Sequence, residues 1–176
     1  MVKHGILHVH SEHSMFDSTQ KPEDIVKRAK ELGCKNITLT DHGVLSGIDD
    51  FMDAGKKYGI NTIPGVEAYL EHHAHLVLVA KDYEGFLAIS HAVRDANRHQ
   101  DIFLDKIVFP IMTEDIILKY FKGNEHVIAT SACIQGPIGK ALLSNRSIEK
   151  KINRLKQIII TCDRNLAPCE KMESIY

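Results

Sequence analysis

The chain has no surplus of charge of either sign: 22 Lys and Arg stand against 23 Asp and Glu. A protein that grips nucleic acid by charge shows a basic excess or stripe, so a long duplex is not the natural ligand. A nucleic acid fits better as a substrate end held in a site. Cysteine is sparse, and Cys34, Cys133, Cys162 and Cys169 form no CxxC pair, which excludes a structural zinc ribbon. They read as free thiols in a reduced, cytoplasmic setting. No apolar run approaches the ~20 residues that span a bilayer, so no membrane partner is expected. Met1-Val2-Lys3-His4 leads straight into the first predicted strand rather than into a secretory segment. Repeats, low-complexity tracts and linkers are missing as well. At 176 residues, with 44% apolar and 26% charged content, the span 1–176 reads as a single domain.

Short apolar strands alternate with amphipathic helices. Strands are expected at Gly5–His10, Asn36–Thr40, Asn61–Val66, Leu76–Ala80 and His126–Thr130. Pro64-Gly65 disturbs the end of the third. Helices are expected at Pro22–Leu32, Gly47–Tyr58, Tyr83–Asn97, Thr113–Phe121, Gly136–Leu143 and Ser147–Thr161. Pro22, the acidic Glu23-Asp24 and the terminating Gly33 mark the first; Thr113 reads as an N-cap for the fourth. The stretch His99–Met112 is less regular, and residues 161–176 read as a loose tail. This alternation predicts an α/β fold on a parallel sheet with right-handed crossovers. Sites of such sheets lie at the carboxyl ends of the strands.

Histidine is abundant, with 11 residues, many of them before position 75. His8 and His10 end the first predicted strand, and residues two apart on a strand project to the same side. The next strand delivers Asp41-His42-Gly43, the third is followed by Glu67, and the fifth by Cys133. A mixed set of imidazole, carboxylate and one thiol suits zinc, manganese or iron, and such a set can hold more than one ion. Divalent cations at one rim point to phosphoester hydrolysis. His75 opens its strand rather than closing it, and reaches the rim only if the chain bends there or the strand begins earlier.

Each candidate has a plain alternative. His42 could cap a helix, Glu67 could pair with a surface lysine, and Cys133 could be a small core residue. Asp17 could cap the turn before the first helix or serve as a carboxylate ligand. Cys34 reads as core and His72 and His73 as a solvated turn. His13, His91, His99 and His126 read as surface or helix-face residues. Lys81 and Arg94 could steer phosphate, although such charges are usually only solvated.

In this order, His8-Val9-His10-Ser11 with Ser14-Met15-Phe16-Asp17, Thr40-Asp41-His42-Gly43, Pro64-Gly65-Val66-Glu67-Ala68-Tyr69, His75 through Asp82 and Thr130-Ser131-Ala132-Cys133 resemble the PHP (polymerase and histidinol phosphatase) domain family. The branch they resemble most is the N-terminal PHP domains of bacterial DNA polymerase III alpha subunits. The resemblance covers about Ile6 to Leu143. It implies a distorted (β/α)7 barrel with a metal cluster at its carboxyl rim. It assigns metal binding to His8, His10, Asp17, His42, Glu67, His75 and Cys133, and chemistry to Asp41, His42 and Glu67, Asp41 being a ligand or a partner behind the ligands. It further implies divalent metal ions, zinc foremost, a 3′–5′ exonuclease type of site acting on a DNA 3′ end in replication, and the remainder of a polymerase or a replisome subunit as partner.

Two departures stand out. The family carries a further strand ending in an Asp-x-His pair, and none follows Cys133, so the barrel is expected to be incomplete at its C-terminus. Polymerase palm, fingers and thumb are also missing, so the chain would be a fragment, a split-gene product or a short relative without a polymerase active site. The alternatives are a non-catalytic structural PHP module and a small-molecule phosphatase of the histidinol phosphatase type. The Pro-Gly-Val-Glu-Ala-Tyr and Thr-Ser-Ala-Cys segments speak against the phosphatase.

Overall fold

The computed structural model describes residues 5–71, 74–103, 107–144 and 149–150. The helix expected at Ser147–Thr161, the tail and the pair His72-His73 fall wholly or largely outside them. The described elements are α1 (Pro22–Glu31), β1 (Asn36–Leu39), α2 (Ile48–Tyr58), β2 (Asn61–Leu70), β3 (Ala74–Ala80), α3 (Tyr83–Ala96), β4 (Gln100–Phe103), β5 (Ile107–Pro110), α4 (Glu114–Phe121), β6 (Val127–Thr130) and α5 (Pro137–Leu143).

Local chemistry sets the helix ends. Pro22 opens α1, with Glu23 and Asp24 in its first turn and Arg28 and Lys30 in its last, each placed to suit the helix dipole. Its end is a Schellman motif: Gly33 N–H donates to Lys30 O, Cys34 N–H donates to Ala29 O, and Gly33 takes φ +77°. Asp82 caps α3 by accepting from Gly85 N–H, and Thr113 caps α4 by accepting from Ile116 N–H.

The main sheet runs β1-β2-β3-β6, and β4 and β5 form a separate antiparallel pair within the stretch expected to be irregular. The expectation of a parallel sheet holds only for β1 and β2. Both the β2–β3 and β3–β6 pairings are antiparallel. The reason is connection length: a parallel crossover needs a dozen or more residues, and only 71–73 separate β2 from β3. The segment expected as the first strand is extended beside β1 rather than fully paired. It makes one parallel bridge, Ile6 to Ile37, and its carbonyls at Ile6 and Val9 accept from Thr38 and Thr40 N–H.

Two apolar clusters flank this sheet. Ile25, Val26, Ala29, Ile37, Leu39, Phe51 and Ile60 unite α1 and α2 with β1. Val66, Leu78, Ile89, Met112, Phe121 and Val127 unite α3 and α4 with β2, β3 and β6. Leu45 and Phe86 pack against both. Phe51, Leu39 and Ile89 are fully buried, each worth roughly 1.5–3 kcal/mol of transfer free energy. Cys34 belongs to the first cluster. The consequence for function is that the carboxyl ends of β1 and β2 and the amino end of β3 meet at one edge.

Candidate metal centre

Glu67 stands at the centre of that edge. Its side chain is 1% exposed, because β2 is paired on both sides there. The β1–β2 pairing continues beyond Leu39: Glu67 N–H donates to Asp41 O at 3.0 Å, and Gly43 N–H donates to Glu67 O at 2.9 Å. His42 is thereby bridged to Glu67. The chain must then turn sharply. Gly43 does so at φ +66°, and a Cβ there would lie 2.8 Å from Pro110 Cγ, so the position needs glycine on both counts.

Imidazoles surround the carboxylate. Oε2 lies 2.9 Å from His8 Nε2, 3.0 Å from His10 Nε2 and 3.4 Å from His42 Nδ1. Oε1 lies 3.1 Å from His75 Nδ1 and 3.8 Å from Cys133 Sγ. His8 Nε2 and His10 Nε2 are 3.0 Å apart. Asp17 Oδ2 approaches from outside, 3.5 Å from His42 Nε2 and 3.7 Å from His10 Nε2. The rings of His10 and His42 stack at 4.4 Å, and Tyr69 stacks on the other side of His42 at 5.3 Å. Tyr69 also meets His75 edge-on at 5.1 Å and Phe109 at 4.4 Å.

The charges are strongly coupled. Burial works to raise the Glu67 pKa, but hydrogen bonds from His10, His75 and His8 outweigh it and hold the carboxyl well below the usual range. Burial works against a charged His10, and Glu67 overcomes it, leaving that imidazole above its ordinary value. His42 goes the other way: burial prevails over the attraction of Glu67, with His10 and His75 adding to the downward push. The Tyr69 phenol is pushed up to about 12, first by burial and then by the charges of Glu67 and Asp17.

Behind the imidazoles lies a second layer. Asp41 is buried, and both of its oxygens are engaged. Oδ1 accepts from Ser11 N–H at 2.6 Å and Ser14 Oγ–H at 2.8 Å, and Oδ2 accepts from Ser11 Oγ–H at 2.7 Å. Ser14 has one hydroxyl hydrogen, given to Asp41. It therefore accepts from His42 N–H at 3.0 Å and from His10 Nδ1–H at 3.2 Å. That fixes one His10 proton on Nδ1 and turns Nε2 toward the cluster, where in the metal-free chain it donates to Glu67 at 3.0 Å and, once that proton is lost, offers a lone pair, an arrangement typical of ligating histidines.

The structure thus gathers His8, His10, Asp17, His42, Glu67, His75 and Cys133 at one edge, and sets Asp41 behind them. His75 reaches the edge because β3 begins at Ala74 and runs antiparallel to β2, so the opening of β3 lies beside the end of β2. Cys133 is held by the loop that follows it: His75 N–H donates to Gln135 O at 3.1 Å, and Gln135 N–H donates to Cys133 Sγ at 3.4 Å. Lys81 is committed to the Glu125 carbonyl and Arg94 to Asp95. His126 is exposed and paired with Asp82 at 2.7 Å, and His13 bonds Ser46 at 3.0 Å.

Three residues at the edge received no role from the sequence beyond their place in the matched segments. Ser11 and Ser14 carry no periodic signal. Tyr69 does carry one, since it lies two residues after Glu67 on β2 and so on the same face.

Residues His8, His10 and Glu67 form one group able to hold a cation, His10, Asp17 and His42 a second, and His42, Glu67 and His75 a third, the ligand atoms of each lying within 4.8 Å of one another. The donor set fits a divalent metal on a further ground. His42 Nδ1 is buried and has no hydrogen-bond partner among the described residues, a costly state for a ring nitrogen unless its lone pair is used. Nitrogen, carboxylate oxygen and one sulfur suit zinc, with manganese and iron compatible. No helix among the described residues is long and apolar enough to cross a membrane.

Comparison with known proteins matches the PHP domain family over residues 7–166. DNA polymerase III subunit alpha of Helicobacter pylori is 33% identical over 156 residues, covering 82% of this chain and 12% of that protein. The Borreliella burgdorferi subunit alpha is 34% identical over 160 residues, covering 82% of this chain and 13% of its own length. The chain thus spans about an eighth of these relatives. Among solved structures, an amidohydrolase from Chromobacterium violaceum is 26% identical with a TM-score of 0.45, covering 53% of this chain and 33% of that one.

Proposed function

Since the chain belongs to the PHP domain family, we propose that it is the PHP part of a bacterial DNA polymerase III alpha-type replication protein, with a metal-dependent phosphoesterase site that removes nucleotides from a DNA 3′ end. The observation that carries this is the convergence of His8, His10, His42 and His75 on the single buried carboxylate of Glu67. The likeness to alpha subunits supports the replication setting. With it go one domain over 1–176, a cytoplasmic location, and the remainder of a polymerase or a replisome subunit as partner.

His8 and His10 with Glu67 Oε2 would hold a cation on one side, and His75 and Cys133 with Oε1 on the other. Asp17 and His42 complete the outer face. A divalent cation, zinc foremost, supplies charge for a phosphoryl oxygen and a nucleophile usable at neutral pH. The chain supplies orientation. Glu67 stays ionised because its hydrogen bonds favour the charged form, and Ser14 fixes the His10 tautomer. Tyr69 stacks on one face of His42 and helps fix the orientation of its ring. Glu67 and His42 touch the reacting centre, whereas Asp41 acts through Ser11 and Ser14 as a positioning residue.

The test is metal analysis of the purified chain with an assay on a 3′-mismatched primer. The expected result is bound divalent metal and 3′–5′ cleavage that His10→Ala abolishes; no metal, or cleavage indifferent to His10→Ala, refutes the reading. A second reading is a non-catalytic PHP module with a structural metal. It predicts that a chelator changes stability while no phosphoester is cleaved.

A further inference from the structure

The turn that carries Asp17 to the metal centre also presents two apolar side chains to solvent. Met15 is 76% exposed and Phe16 87% exposed. This is not a loose loop. Ser14 N–H donates to Ser11 O at 2.9 Å, Asp17 N–H donates to Ser14 O at 3.0 Å, and Ser18 N–H donates to the same carbonyl at 3.4 Å. On its inner side Ser11 and Ser14 are fully buried against Asp41. The outer side therefore holds an aromatic ring on a fixed base.

Phe16 also has φ +69°, a left-handed conformation that bulky residues rarely adopt. A glycine or asparagine would serve the turn better. A large, exposed apolar ring at such a position has no packing reason within the described residues, and strained residues of this kind cluster at ligand clamps.

We infer that Phe16, flanked by Met15, is the stacking platform for the terminal nucleobase of a single-stranded nucleic acid whose phosphate enters the metal centre. The inference rests on the phosphoesterase reading of that centre. Consecutive Cα atoms are about 3.8 Å apart, so Phe16 stands one residue from Asp17, whose Oδ2 is 3.5 Å from His42 Nε2. A phosphate held among His10, Asp17 and His42 leaves its own nucleoside at the Phe16 rim. Every base offers a flat π-face, so the platform is sequence-tolerant. It also explains how a chain with no basic excess holds a strand end: the metal centre takes the phosphate and the aromatic takes the base. A small phosphomonoester without a ring has no use for Phe16.

The experiment measures binding of a 5′-labelled oligothymidylate with a terminal phosphorothioate, which slows hydrolysis. A matched oligonucleotide whose 3′ residue is abasic is measured beside it, with fluorescence anisotropy on the zinc-loaded chain as readout. The wild type should prefer the base-bearing strand about 5- to 150-fold. Phe16→Asn should abolish that preference while raising the thermal midpoint, because asparagine tolerates the left-handed backbone. Phe16→Trp should retain the preference.

Equal binding of the two strands by the wild type, no binding of either, or an unchanged preference in Phe16→Asn overturns the inference. Equal binding together with altered self-association in Phe16→Asn would instead assign the ring to a protein interface. Turnover of bis(p-nitrophenyl) phosphate by the wild type separates the two claims. If the base preference survives without any turnover, the phosphoesterase reading fails and the platform stands.

Discussion

Asp41 offers the sharpest test of how the metal centre is built. It is buried, bears a charge, and receives hydrogen bonds from Ser11 N–H, Ser11 Oγ and Ser14 Oγ at 2.6, 2.7 and 2.8 Å. Net contributions of hydrogen bonds to a charged group are roughly 1.5–3 kcal/mol each. Taking the lower figure for each, Asp41→Ala should destabilise the metal-free chain by about 4 to 5 kcal/mol, much of it from the orphaned Ser11 N–H. Asp41→Asn behaves differently. Its carbonyl can keep both donors now on Oδ1, and its amide can donate to Ser11 Oγ, which is able to accept. Only the charge is lost, at about 1–2 kcal/mol.

Asp41→Ala should also weaken metal binding without removing a ligand, whereas Asp41→Asn, whose carbonyl keeps the Ser14 hydroxyl, should leave it nearly unchanged. Freed from Asp41, the Ser14 hydroxyl can donate to His10 Nδ1, which moves the imidazole proton to Nε2 and aims a hydrogen at the cluster. Loss of such a supporting contact typically costs 10- to 100-fold in metal affinity. Urea unfolding in the presence of a chelator reads the first effect, and zinc titration against a competing chromophoric chelator reads the second. An Asp41→Ala chain within about 1 kcal/mol of wild type would refute the positioning argument. So would loss of a whole equivalent of bound metal with apo stability unchanged, because that result makes Asp41 a direct ligand.

Other expectations are simpler. Gly43→Ala forces a Cβ to 2.8 Å from Pro110 Cγ at φ +66°, so its urea midpoint should fall by the equivalent of about 1–3 kcal/mol. Metal affinity should decline as pH falls and protons compete with a cation for the ligating imidazole nitrogens; a flat zinc affinity from pH 8 to pH 5.5 would count against histidine ligation. Between α3 and α4, Tyr120, then Lys119 and Arg94, hold the Asp95 carboxyl well below its ordinary range. Its stabilising contribution is thus present above the unfolded aspartate pKa near about 3.9 and is lost as pH falls below it. Asp95→Asn should therefore lower stability at neutral pH and flatten its acid limb, as followed by thermal melts from pH 7 downward.

The elements most legible in the sequence were those with chemical punctuation. For α1, Pro22, the acidic pair after it and Gly33 each act locally, and the helix ends within one residue of its expected limit. β2 was misread for a definable reason. Pro64-Gly65 looks like a strand end, yet β2 continues to Leu70. Pro64 pairs with Leu39 at the last step of the β1 ladder, and the β3 ladder begins only at Gly65. The proline thus sits one residue before β3 joins, on a stretch of β2 paired on one side only, and its missing N–H does little harm there. Ending that strand at Val66 and opening the next at Leu76 left an apparent gap long enough to hide a hairpin, and with it the antiparallel half of the sheet.

That error bears directly on the metal centre. The rule that sites lie at strand carboxyl ends singled out His8, His10, His42, Glu67 and Cys133, but on the premise of a parallel sheet it made His75 an exception. In an antiparallel pair the opening of one strand adjoins the close of the other, and His75 sits opposite Tyr69, two residues beyond Glu67. His75 is no exception to the physics, only to the assumed direction of its strand. Ser11 and Ser14 were illegible for a deeper reason. A ligand's chemistry can be read from residue type, whereas a residue that orients a ligand needs only a hydroxyl in the right place. That place is set by where Asp41 is buried, which is a property of the fold and not of the local sequence.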